Sequence, residues 1–215
     1  MADRGRLDRH GCRGAGHRGD RARLRLPGVE DPALGTLGVH GRVVNRRVDG
    51  AGVGDRDLPD VARDLLGSLG ARGWTLGVAE SLTGGGVTAA LVSVPGASTV
   101  LRAGIVAYAT DLKARLLGVD DGLLAARGAV DPDVASQMAA GVRDVTGSDV
   151  GLATTGVAGP DPQDGHAPGL VFVAVCAPGV DQVRRIDLPG PRPDVIAGAA
   201  SGVLKLAVQA ISELS

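Results

Sequence analysis

A chain of 215 residues, 44% of them hydrophobic, is long enough for one cored domain with or without an appendage. Its formal net charge of -1 supplies no basic field to gather polyanions. One Trp, one Tyr and one Phe (Trp74, Tyr108, Phe172) are too few for a base-stacking platform, so no nucleic-acid partner is expected.

Cys12 and Cys176 lie far apart with no paired spacing, which argues against a disulfide framework or a cysteine zinc site. The longest wholly apolar run, 170–177, is too short to span a bilayer, and no apolar signal segment opens the chain. The expectation is a cytoplasmic protein with no membrane partner.

In chain order, residues 1–55 stand out first. Arginine outnumbers acid there, glycine is scattered and periodicity is poor. They read as a disordered or mis-assigned N-terminal extension, with a nucleic-acid-binding arm as the sharper alternative, weakened by interspersed Asp. "LGVHGRVV" (37–44) has strand character but no neighbouring partner. From 56 to 215 the pattern becomes regular and predicts one domain. "DLPDVARDLLGSLGARG" places Val61, Leu65, Leu66 and Leu69 on one helical face between an Asp57 cap and a Gly73 stop. Residues 75–79 read as a strand, 85–93 as a helix closed by Pro95-Gly96, 104–109 as a strand and 110–117 as a helix ending at Gly118. "DPDVASQMAAGVRDVTG" (131–147) opens with an Asp cap and a first-turn Pro, a strong helix start. Then come a strand at 150–154 and a long loop at 155–168. A hairpin follows, with arms 169–177 and 182–188 about Pro178-Gly179, and a last helix after Pro193. Alternating strands and helices predict an α/β fold: a three-layer α/β/α sandwich about a mixed, mostly parallel sheet with an antiparallel edge.

In such sheets, sites gather where strands run out into loops. "GVAESLTGGG" (77–86) puts Ser81 and Thr83 at a strand-to-helix turn, followed by glycines whose backbone can aim N–H groups at one point. That suits either an anion or the oxyanion of acyl transfer. No Gly-Lys-Ser/Thr follows, so it is not a Walker loop, and Glu80 before the serine breaks a GxSxG elbow. "YATDLK" brings Tyr108 to a strand end and Lys113 one turn into the next helix. No histidine is well placed as a base, whereas a partly buried lysine can act as one once its pKa falls toward about 7–8. Lysine is confined to Lys113 and Lys205, and Lys205 reads as an ordinary helix-face residue. "ATTGVAGPDPQDG" (153–165) brings Thr155 and Gly156 to the same sheet edge. Asp161 and Asp164 there read as turn caps rather than metal ligands, since no His or Cys accompanies them, and no metal or other cofactor is expected.

Four motifs, "AESLTGG", "VAYATDLKARLLGV", "GAVDPDVASQMAAGV" and "TTGVAGPD", occur in order over about residues 58–214. In them the chain resembles the C-terminal domain of the competence/damage-inducible protein CinA, the nicotinamide-nucleotide amidase family. The resemblance implies hydrolysis of the carboxamide of nicotinamide mononucleotide to nicotinic acid mononucleotide and ammonia by a serine–lysine pair. Ser81 falls on the nucleophile and Lys113 on the base. Tyr108 falls on a residue that orients the lysine or relays its proton. Thr83, Gly84, Gly85, Thr155 and Gly156 fall on the oxyanion or substrate-binding positions, and a homodimer is possible on family grounds. Leu82 stands where the family often has Cys, and Ala109-Thr110 where it often has Ser-Asn, so substrate preference is less constrained than reaction type. Residues 1–55 are too short for the pyrophosphatase domain of longer members. A non-catalytic nucleotide- or partner-binding module, or an amidase for another small carboxamide, are the alternatives.

Overall fold

Two apolar stripes per strand are what organise this chain into layers. The computed structural model describes the backbone of residues 42–43 and residues 58–214 in full, all within the unit Val39–Ser215. In order these are β1 (Arg42–Val43), α1 (Leu58–Ala71), β2 (Leu76–Glu80), α2 (Gly86–Val92), β3 (Leu101–Val106), α3 (Thr110–Leu117) and α4 (Asp121–Arg127). Then follow α5 (Pro132–Thr146), β4 (Val150–Gly156), β5 (Leu170–Ala177), β6 (Val180–Asp187) and α6 (Arg192–Ser212).

The sheet order is β1-β6-β5-β4-β2-β3. β2 lies parallel to both β3 and β4, β5 runs antiparallel to β4 and β6, and β1 is parallel to β6. The mixed, mostly parallel α/β sheet expected from the sequence is therefore present. One detail differs: the reversed strand is internal. A hairpin with a two-residue turn must reverse direction, so β5 comes back beside β4 and β6 then runs with the rest of the sheet.

Alternate residues of each strand feed opposite cores. Leu76, Val78, Val150, Leu152, Val171, Val173 and Val175 pack under α1, α2 and α6. Ala79, Ala153, Phe172, Ala174 and Val183 pack under α3, α4 and α5. That is the three-layer arrangement, produced by the period-2 pleat. On the second face the strands carry small residues, so α5 sits close. A Cβ at Gly151 would land on the carbonyl oxygen of Ala139, and any side chain there would push α5 off the sheet. α6 is long and apolar enough to cross a bilayer by length and composition. Its apolar face is instead buried in the first core against α1 and the sheet.

Local differences from the sequence reading have local causes. α4 was not expected, because seven residues hold too little periodicity to register. It forms because Asp120 caps it, accepting from the Leu123 amide at 2.7 Å. β3 begins at Leu101 rather than 104, since pairing with β2 recruits Leu101 and Ala103. The segment 37–44, expected to lack a partner, contributes Arg42–Val43 to the edge of β6. The rest of the 1–55 expectation lies outside the described residues.

Candidate active site

β2 is central and wholly buried, and at its C-terminal end the chain must leave the sheet. It does so at Glu80. The Glu80 carboxylate is fully buried and turns back on the following residues. Its Oε2 accepts from the amides of Gly85 (2.9 Å) and Val87 (3.1 Å). Its Oε1 accepts from the amide (2.8 Å) and hydroxyl (2.6 Å) of Thr88. A carboxylate on the first-turn amides of α2 is what the helix N-terminus favours. Gly84 and Gly85, with φ of 56° and 103°, take the left-handed conformations that fold this turn back. The result is a tight turn whose first residue, Ser81, is held by its own amide on the Thr154 carbonyl at 3.1 Å.

The neighbouring strand delivers the second group. Ala107 follows β3, pinned by its amide to the Glu80 carbonyl at 2.9 Å. Lys113, on the first turns of α3, reaches back under this corner and is only 1% exposed. Its Nζ lies 2.8 Å from the Ala107 carbonyl oxygen, 3.4 Å from that of Tyr108 and 3.1 Å from Ser81 Oγ. Burial pushes the amine down from 10.5 to about 8, partly opposed by the negative charge of Asp164. At pH 7 about a tenth of the molecules then carry it neutral. In that form two N–H bonds serve the two carbonyls, leaving the lone pair to accept the Ser81 hydroxyl. This is the geometry of a nucleophile beside its base.

Ser81 opens onto a cavity of ≈ 270 Å³, bounded by Leu82, Tyr108, residues 156–163 and Arg192. The remaining expected residues are placed differently from one another. Gly156 lines the cavity. Thr83 and Thr155 do not: the Thr83 hydroxyl pairs with that of Thr154 at 2.8 Å, and Thr155 donates to the Ala129 carbonyl at 2.6 Å. Each ties a loop to the C-terminal end of β4.

Gly84 and Gly85 have no free amide for an oxyanion, since Gly84 donates to the Ser81 carbonyl at 3.1 Å and Gly85 to Glu80. Among the described residues, the amides of Leu82 and Thr83 in this turn meet no protein acceptor. Tyr108 also departs from expectation. The residue is 58% exposed at the cavity rim, its phenol accepts from Arg192 Nη2 at 2.9 Å, and its backbone carbonyl is what meets Lys113. The backbone, not the phenol, orients the base.

Sequence reading missed Arg192 and the structural use of Glu80. Arg192 Nη1 also donates to the Gly159 carbonyl at 2.9 Å, so the guanidinium stands at the cavity mouth between Tyr108 and the 156–163 loop. Its signal in the sequence is only one arginine among many, brought to Tyr108 across 84 positions by the fold.

The profile of the family described as CinA C-terminal domain matches residues 59–211. A "CinA-like protein" from Frankia casuarinae is 50% identical over 142 residues, 66% of this chain and 33% of that protein. A "putative competence-damage inducible protein" from Bacillus velezensis is 41% identical over 144 residues, 67% of this chain and 35% of that one. The chain thus spans about a third of the length of these relatives. Among solved structures, a competence-damaged protein (CinA) superfamily protein from Klebsiella pneumoniae superposes with TM-score 0.71 at 28% identity, covering 74% of this chain and 99% of that one. The corresponding protein from Enterobacter cloacae gives 0.71 at 29%, covering 78% and 99%.

Proposed function

This chain belongs to the CinA C-terminal domain family, and from that premise we propose that it is an amidase hydrolysing the carboxamide of nicotinamide mononucleotide to nicotinic acid mononucleotide and ammonia. The observation that carries the reading is the buried Lys113 amine, 3.1 Å from the Ser81 hydroxyl at the floor of an open cavity. A lysine is rarely left without a carboxylate partner in a protein interior, because burial penalises its charge. Here that penalty favours the neutral, basic form the chemistry needs.

In acylation, Ser81 Oγ bonds to the amide carbon while its proton passes to Lys113 Nζ. The carbonyl oxygen becomes an oxyanion, and the amide of Leu82, which lines the cavity, is the donor for it. As the C–N bond breaks, Nζ returns a proton to the nitrogen, which leaves as ammonia. In deacylation, Nζ takes a proton from water as the water oxygen bonds to the acyl carbon. The Oγ–C bond then breaks, and the proton goes back to Ser81. Glu80 already fills the N-terminus of α2, so the substrate phosphate is directed to the Arg192 guanidinium at the cavity mouth instead.

The test is ammonia release from nicotinamide mononucleotide by the purified chain, with Ser81→Ala and Lys113→Ala as folded controls. Both variants should lose at least about a thousandfold in kcat. Wild-type turnover in Ser81→Ala would eliminate the mechanism. Calorimetric binding of the nucleotide with no ammonia from the wild type would make the chain a binding module.

A further inference from the structure

The cavity beside Ser81 holds opposite charges that do not neutralise each other. Two of its lining residues are charged, Asp161 and Arg192. The guanidinium is engaged by the Tyr108 phenol and the Gly159 carbonyl, each at 2.9 Å. Asp161 reads from the sequence as a turn cap, yet it makes no hydrogen bond or ion pair among the described residues. It stands between Pro160 and Pro162. Those rings fix φ on either side, and the second keeps Asp161 out of the helical region, so the segment that carries the carboxylate is stiff. Around the two charges the wall is apolar, built from Leu82, Val157, Ala158 and the two prolines. Beside such a wall a ligand's charge is screened less than on open surface.

The other acids of this corner are already used. Glu80 is consumed by the Gly85, Val87 and Thr88 donors. Asp164 accepts from the Ala129 amide and does not line the cavity. Asp161 is the carboxylate left for a ligand, and its sign calls for a cation.

The nucleotide proposed as substrate is charged at both ends. Attachment of ribose to the ring nitrogen makes the pyridine a cation, and the phosphate is an anion. We propose that Asp161 is the counter-charge for the pyridinium ring, with Arg192 taking the phosphate, so that the site selects carboxamides on a cationic ring. The inference rests on the amidase reading for the identity of the ligand, whereas the charge selection requires no turnover. Asp161 acts on binding, and the bond-making stays with Ser81 and Lys113.

The probes are nicotinamide mononucleotide and its ring-reduced dihydro form. They share carboxamide, ribose and phosphate, and only the first has a charged ring. Calorimetry in a Ser81→Ala background, to prevent turnover, compares both ligands with and without Asp161→Asn. Asparagine keeps the shape, and at an exposed position without a partner it should leave the urea midpoint unchanged. With Asp161 in place, the cationic form should bind about five- to tenfold more tightly than the dihydro form. Asp161→Asn should weaken the cationic form by that factor and leave the dihydro form within about twofold, which abolishes the preference. In the enzyme that retains Ser81, the same substitution should raise KM for the mononucleotide with kcat little changed.

A preference that survives Asp161→Asn overturns the proposal and assigns the cation to the Tyr108 ring at the rim. Equal weakening of both forms also overturns it, because Asp161 would then hold the ribose or the loop. If the wild type releases ammonia while Asp161→Asn binds both forms as before, the amidase reading stands and this inference falls. A preference lost with Asp161, in a chain that releases no ammonia, supports the inference and refutes the amidase reading. Binding of neither form removes both.

Discussion

Replacing Lys113 with Met tests the electrical state of the site without any assumption about substrate. The methionine side chain has similar length and no charge, and the position is 1% exposed, so solvent screening is slight. Burial lowers the amine from 10.5 to about 8 in the folded chain, a displacement worth about 3 kcal/mol. The sign follows from linkage. Below about pH 8 the lysine is charged in both folded and unfolded chains, and the folded state bears the whole penalty. Between 8 and 10.5 the folded state sheds its proton first, so wild-type stability rises with pH, and above 10.5 the penalty is gone. Met removes this dependence. It also strips a donor from the Ala107 and Tyr108 carbonyls and from Ser81, a loss nearly constant with pH. The informative quantity is therefore the change in the stability gap between the two proteins, not its absolute size. From pH 7.0 to 9.5 the wild type should gain about 2 kcal/mol on the Met variant. With urea slopes of about 1–3 kcal/mol/M, that is a relative midpoint shift of about 0.7–2 M. Urea melts of both proteins at the two pH values measure it. Gaps that agree within about 0.5 kcal/mol would mean that Lys113 is solvated like any surface lysine, and the base assignment would fall with it.

Three further expectations follow from the same geometry. The kcat/KM profile for nicotinamide mononucleotide should rise through a limb at about pH 8, the value of the free-enzyme lysine, and an activity flat from pH 6 to 9 would contradict it. Tyr108→Phe removes a phenol that meets Arg192 rather than the base, so kcat should drop less than about tenfold with the pH limb unmoved, the larger change falling on KM. A lost or displaced limb in that variant would restore the phenol as part of the proton path. Glu80→Gln puts an amide NH₂ against N–H donors that now share a carboxylate, and should cost about 2–4 kcal/mol in chemical denaturation, well beyond a surface change.

The layers and the reactive pair were legible because each rests on short-range pattern. β2, β4 and β5 are short, largely apolar runs bounded by turn residues, the pattern of strands buried on both faces. The Asp131–Pro132 start of α5 is a local cap, and the structure has Asp131 accepting from the Asp133 amide at 2.8 Å. Ser81 and Lys113 were visible as chemistry stranded at element ends. Which amides of the Gly84-Gly85 turn remain free was not legible, because backbone amides are indistinguishable in a sequence. Which of them is free depends on where the Glu80 carboxylate goes.

By itself, the sequence determined which stretches from residue 75 onward are strands, which faces of the helices are apolar, and which hydroxyl and amine stand at the strand ends. These follow from periodicity and from the fixed properties of each residue type. Only the tertiary structure decided that Glu80 closes the α2 N-terminus, that backbone carbonyls rather than the Tyr108 phenol hold Lys113, and that Arg192 stands at the cavity mouth. The physical reason is that burial, and hence the basicity of an amine, is set by atoms distant in the chain. Arg192 reaches the Tyr108 phenol across 84 positions of sequence, and no local pattern encodes that contact.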